Sequence, residues 1–151
     1  MKINAGDTAW VLVSAALVLF MTPGLALFYG GMVRAKNVLG MIMQNFFSMG
    51  LITVLWAAVG YSLAFGGHSP LIGNLDFAGL HRATALAPPG FALTIPPGLF
   101  MVYQMMFAVI TPALITGAIA DRMKFSAWAI FLGLWAILVY SPVAHWVFAP
   151  A

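Results

Sequence analysis

Tyr103 and Phe107 stand four residues apart, and Leu114 follows seven further on. At about 100° per residue on a helix, the three fall within about 40° of one another. They form one stripe, aromatic at one end and aliphatic in the middle. The face of an aromatic ring holds a small cation, each contact being worth about 0.5–2 kcal/mol. Such a stripe replaces part of a cation's lost hydration without a fixed negative charge, then leads into a dry passage. Packing against other helices or against lipid is the plainer use of the same residues.

Other chemistry is sparse. His145 is the one histidine in an apolar run, near its end, where a structural role is the plainer reading. His68 and His81 lie in a proline-rich stretch with no close carboxylate pattern, so a metal site is not expected. No nucleophile elbow, zinc-binding helix motif or phosphate-cradling loop is present, and no enzymatic site is expected. Cysteine is absent, which removes disulfides, thiolate ligands and thiol nucleophiles.

The elements that must position the stripe follow from charge. Lys and Arg number six and Asp and Glu three, only 6% of 151 residues, while 64% are hydrophobic. Mean hydropathy is +1.04. A water-facing surface needs about 25% charged residues, so a soluble domain and a nucleic-acid binder are both excluded. The charges divide the chain into apolar runs, each long enough for the ~20 residues that cross a bilayer. Four membrane helices are expected near 8–29, 39–65, 98–120 and 125–148, in a single all-α integral membrane domain over 1–151. The apolar runs are too continuous for the alternation of a membrane β-barrel. Residues 66–97 carry Pro70, Pro88, Pro89, Pro96 and Pro97 and are expected to be an irregular loop. Pro23, Pro112 and Pro142 fall inside spans, and Ala113, Gly117 and Ala120 share a small-residue face suited to close helix approach.

The short connections carry Arg34, Lys36, Arg122 and Lys124, against Lys2 and Arg82 at the other end. The excess places the short connections in the cytoplasm, with the N-terminus and the proline-rich loop outside. Trp10 and Tyr29 bracket the first span as interfacial anchors. Arg34 and Lys36 hold the end of that span inside, so it is expected to stay in place rather than be cleaved as a signal peptide.

Three collinear segments carry a family pattern. GDTAWVLVSAALVLFMTPGLALFYGGMVRAKNVLGMIMQNF (6–46), YQMMFAVITPALITGAIADRMKFSAW (103–128) and VYSPVAHWVF (139–148) resemble the Amt/Mep/Rh ammonium transporter family, the bacterial Amt branch in particular. The resemblance implies a fold of about eleven helices in two inverted halves, of which these are the first four. It further implies a homotrimer in the cell membrane with an outside N-terminus, a pore in each protomer, and a PII-type regulatory protein as a cytoplasmic partner. The implied substrate is ammonium or ammonia, with methylammonium as an analogue, and no cofactor.

By the same resemblance, Phe107 matches the first of two stacked gate phenylalanines and Tyr103 a second aromatic of the outer vestibule. Phe148 stands where many members have tryptophan, which weakens the cation–π face and removes an indole N–H. Leu25, Phe28, Leu114 and Val147 match apolar pore-lining positions. Both pore histidines and the second gate phenylalanine lie downstream in relatives. The chain is therefore expected to supply the outer recruitment site and one wall of the pore. The alternatives are a truncated, transport-inactive membrane fragment, an ammonium sensor on the same scaffold, or an unrelated four-helix membrane protein.

Overall fold

Asn4 opens the first helix. Its side-chain oxygen accepts from the backbone N–H of Gly6 at 2.8 Å and of Asp7 at 3.2 Å. Two orphan donors are thereby satisfied, and the Asp7 carboxylate sits where the helix dipole favours negative charge. Helix α1 (Ala5–Met32) therefore starts before the expected Thr8. The computed structural model describes residues 2–67 and 69–149; Met1, His68, Pro150 and Ala151 lie outside the described residues.

The second span is built in three pieces. Helix α2 (Val38–Leu55) runs into a wide π-turn (Trp56–Gly60) and then α3 (Tyr61–Phe65). Helix α4 (Pro97–Ile119) is the third span. The fourth repeats the pattern of the second: α5 (Phe125–Trp135), a wide π-turn (Ala136–Tyr140) and α6 (Ser141–Phe148). The four apolar spans are thus Ala5–Met32, Ala35–Phe65, Pro97–Ile119 and Phe125–Phe148. All lie close to the expected positions, and no strand occurs among the described residues.

The wide turn of the fourth span has a local cause. Pro142 has no N–H and its ring would press on the carbonyl four residues back. The turn before it widens, so that the Ser141 N–H bonds the Ala136 carbonyl instead. The Ser141 hydroxyl donates to the same oxygen at 3.0 Å. In the second span Trp56 lies over Gly60, where an added Cβ would come within 3.0 Å of the indole. Pro112, by contrast, is absorbed inside α4.

Helix α4 is the most buried of the four and packs against both α1 and α2. Two polar groups meet in this contact. Asn45 donates through Nδ2 to the Met41 carbonyl at 2.9 Å and to Thr116 Oγ1 at 3.2 Å. Gly117 takes the ring of Tyr29, whose hydroxyl donates to the Leu114 carbonyl at 3.0 Å. Tyr29 is therefore a packing residue between the first and third spans.

The two short connections meet at one end, where Asn37 Nδ2 donates to Asp121 Oδ1. This basic end also holds a cleft of about 190 Å³ lined by Lys36, Asn37, Gln44 and Asp121. At the opposite end the Asn4 N–H bonds the Thr94 carbonyl at 2.7 Å, so the N-terminus and the proline-rich loop lie together. That loop is irregular but tightly seated. Phe91 packs on Phe65 and Phe100 with ring centroids 5.9 and 5.1 Å apart, and Phe77 packs on Tyr61 at 5.5 Å. Through these rings the loop joins the aromatic core around Trp56, Tyr61 and Phe65.

Candidate functional site

Helix α4 starts on two prolines. Pro96 precedes the helix in an extended conformation and Pro97 sits at its first position, where a missing N–H is harmless. From there Tyr103 and Phe107 fall on one face a turn apart. Their rings meet edge to face, centroids 5.1 Å apart and planes at 78°. This geometry sets the positive edge of one ring against the negative face of the other. The faces not covered by the partner stay available, and both residues are partly exposed. The Thr111 hydroxyl donates to the Phe107 carbonyl at 2.7 Å, beside the break that Pro112 makes in the helical bonding.

The remaining expected site residues stand as follows. Phe148 ends α6 at 49% exposure, and among the described residues its ring pairs with neither Tyr103 nor Phe107. Phe28, Leu114 and Val147 are 61%, 50% and 66% exposed, and Leu25 is partly exposed. These four point out of the four-helix packing rather than into its core. The structure therefore brings the aromatic pair together and leaves Phe28, Leu114 and Val147, with part of Leu25, on open faces. No formal charge lies in Thr8–Met32, Asn37–Phe65, Pro97–Ile119 or Phe125–Phe148. Among the described residues no group of His, Asp and Glu is placed to hold a metal ion. His81 is an exposed loop residue, and His68 is outside the described residues.

One arrangement was not legible in the sequence beyond a structural role for His145. That side chain is buried at the tip of the fourth span. Its Nδ1 lies 2.8 Å from the Ala64 carbonyl and its Nε2 2.6 Å from the Ser69 carbonyl. Next to it, Trp146 Nε1 donates to the Leu71 carbonyl at 2.7 Å. No spacing rule connects positions so far apart in the chain. The only signal was two donor-bearing aromatic side chains placed just before Phe148.

Four apolar helical spans that carry charge only at their ends, with short basic turns on one side and an uncharged aromatic pair towards the other, define a multi-pass helical membrane protein. The chain belongs to the Ammonium Transporter Family, whose sequence pattern matches residues 9–151. It is 55% identical to an ammonium transporter of Mycobacterium tuberculosis, over 97% of this chain and 34% of the relative. It is 51% identical to an ammonium transporter of Bacillus subtilis, over 94% of this chain and 35% of the relative. The fold superposes on the crystal structure of Saccharomyces cerevisiae Mep2 with a TM-score of 0.87 at 32% identity, over 99% of this chain and 34% of that one. The chain thus spans about a third of the length of the curated relatives it matches.

Proposed function

We propose that residues 1–151 form one incomplete transmembrane domain of an ammonium transporter, supplying its outer recruitment site and one wall of its pore. The observation that carries this reading is the edge-to-face Tyr103–Phe107 pair on a charge-free span. Ring faces of Tyr103, Phe107 and Phe148 hold the ammonium ion by cation–π attraction, about 0.5–2 kcal/mol per contact. The ion gives up its proton to vestibule water there, NH4+ and H2O becoming NH3 and H3O+, because taking a bare charge into the hydrocarbon interior costs far more than those contacts return. The neutral ammonia then passes Leu25, Phe28, Leu114 and Val147, whose exposed faces supply an apolar wall. The work is transport, with proton exchange but no covalent intermediate on the protein.

In this reading the basic end is cytoplasmic, the N-terminus is outside, and the protein sits in the cell membrane as a homotrimer. A PII-type partner meets it at the basic end. The absence of cysteine makes the orientation simple to test. A single cysteine at Asp76 reacts with a membrane-impermeant maleimide in intact cells, and one at Lys124 reacts only after the cells are opened. The reverse pattern overturns the orientation.

The decisive experiment is methylammonium uptake by the intact transporter carrying this segment, in cells lacking their own ammonium uptake. Phe107→Ala is expected to cut uptake or raise the apparent KM about tenfold, the loss of one desolvated cation–π contact. Uptake and apparent KM both unchanged would sink the recruitment role.

A further inference from the structure

The tip of the fourth span needs something to hold it. Helix α6 is the last stretch of that span, carries Pro142 at its second position and follows α5 through a wide turn. The last turn of any helix leaves its carbonyl groups without partners in the helix and is the turn that frays first. Helix α6 packs against α3, and its outward turn carries Phe148. His145 and Trp146 sit on that same turn and make the polar contacts that tie it to another part of the chain.

The geometry points to these two residues as a latch that positions Phe148 at the outer site. His145 spans two carbonyl groups, Ala64 on α3 and Ser69 in the following loop. Trp146 takes a third, Leu71, two residues further on. The stretch they grip is itself fixed. Ser62 Oγ donates to the Asn74 carbonyl and accepts from the Phe77 N–H, both at 2.9 Å. The Gly73 N–H bonds the Leu63 carbonyl at 2.7 Å. A Cβ at Gly73 would come within 2.4 Å of the Ser62 carbonyl oxygen, so the loop is drawn down onto the second span as closely as glycine allows. The buried His145 seats against the carbonyls of Ala64 and Ser69, and the exposed Trp146 reaches the Leu71 carbonyl at the surface. Among the described residues no ring pairs with Phe148, whose place follows that of the turn held by this seat. A neutral imidazole has one N–H to give and a doubly protonated one has two. His145 therefore holds at least one of its two carbonyls in either form.

His145 and Trp146 are positioning residues: they touch backbone, while Phe148 faces the substrate. This inference rests on the outer-site reading, and two measurements separate them. The first is methylammonium uptake by the intact transporter. Trp146→Phe removes one donor and keeps the ring, and is expected to raise the apparent KM about threefold with maximal uptake retained, the loss of one neutral hydrogen bond. His145→Ala is expected to raise it about tenfold, with His145→Gln restoring part of the loss. The second is a spin label at Phe148→Cys, readable without transport. Its spectrum is expected to become more mobile when Trp146→Phe or His145→Ala is added. Unchanged label mobility in both variants overturns the latch. Raised mobility with an unchanged apparent KM also overturns it, because the seat would then not serve the site. If Phe148→Ala itself leaves the apparent KM unaltered while the label is loosened, the outer-site reading has failed and the latch survives only as a structural tie.

Discussion

Replacing Gly117 with alanine tests how the first and third spans fit together. The new Cβ would lie 2.6 Å from Cε1 and 2.8 Å from Cζ of Tyr29. Carbon atoms rest about 3.5–4.0 Å apart, so the ring must retreat by roughly 1 Å. Its hydroxyl is held by the Leu114 carbonyl at 3.0 Å, and a retreat of that size breaks the bond. Overpacking costs about 1–3 kcal/mol and the lost hydrogen bond about 1 kcal/mol. Alanine's better helix propensity returns about 1 kcal/mol. The net expectation is a loss of about 1–3 kcal/mol. The assay is reversible unfolding of the purified protein in mixed micelles, followed by circular dichroism, in a cycle with Tyr29→Ala. In the Tyr29→Ala background the same glycine substitution is expected to be neutral or stabilising, because nothing stands in the way of the methyl group. An equal penalty in both backgrounds would refute the argument, and so would no penalty in the parent protein.

The other expectations concern single contacts. Asn45→Ala removes the polar tie between α2 and α4 and is expected to cost about 1 kcal/mol in the same unfolding assay, with most of that cost absent when Thr116→Val is already present. Gly73→Ala places a methyl against backbone oxygens that cannot move aside, and is expected to unseat the loop, read as new protease cleavage between the second and third spans. Asp121 has a φ of 61°, and Asp121→Ala loses the Asn37 bond while keeping an unfavourable backbone; a loss of about 1–2 kcal/mol is expected, with Asp121→Asn recovering most of it.

The spans were legible because a bilayer makes one demand of a sequence, long apolar runs bounded by charge, and this chain meets it plainly. The proline-rich loop was legible as irregular backbone, but its seating was not. Phe77 and Phe91 look like any loop residues until Tyr61, Phe65 and Phe100 are brought beside them. Tyr29 read as an interfacial anchor because its partner, Gly117, lies in another span and offers no side chain to notice. The aromatic pair was visible from its four-residue spacing, since that contact is local to one helix. The clamp by His145 was hidden for the opposite reason: both its acceptors are main-chain carbonyls, which every residue has. Of Ala113, Gly117 and Ala120, the small residues expected on one face, Gly117 admits the ring of Tyr29, while Ala120 lies past the end of α4 at Ile119 and does not extend the face.

The wide turns at Trp56–Gly60 and Ala136–Tyr140 each add one residue to a helical circuit. One residue corresponds to about 100° of rotation, so every side chain beyond the turn is dialled round relative to those before it. The tips of the second and fourth spans thus have their own azimuth, independent of the shafts below. Deleting one residue from Trp56–Gly60 would straighten the second span and swing Phe65 away from Phe91 and Phe100, taking the loop's anchor with it. The same deletion in the fourth span would turn Phe148 to a different side of the molecule without changing a single residue of α6.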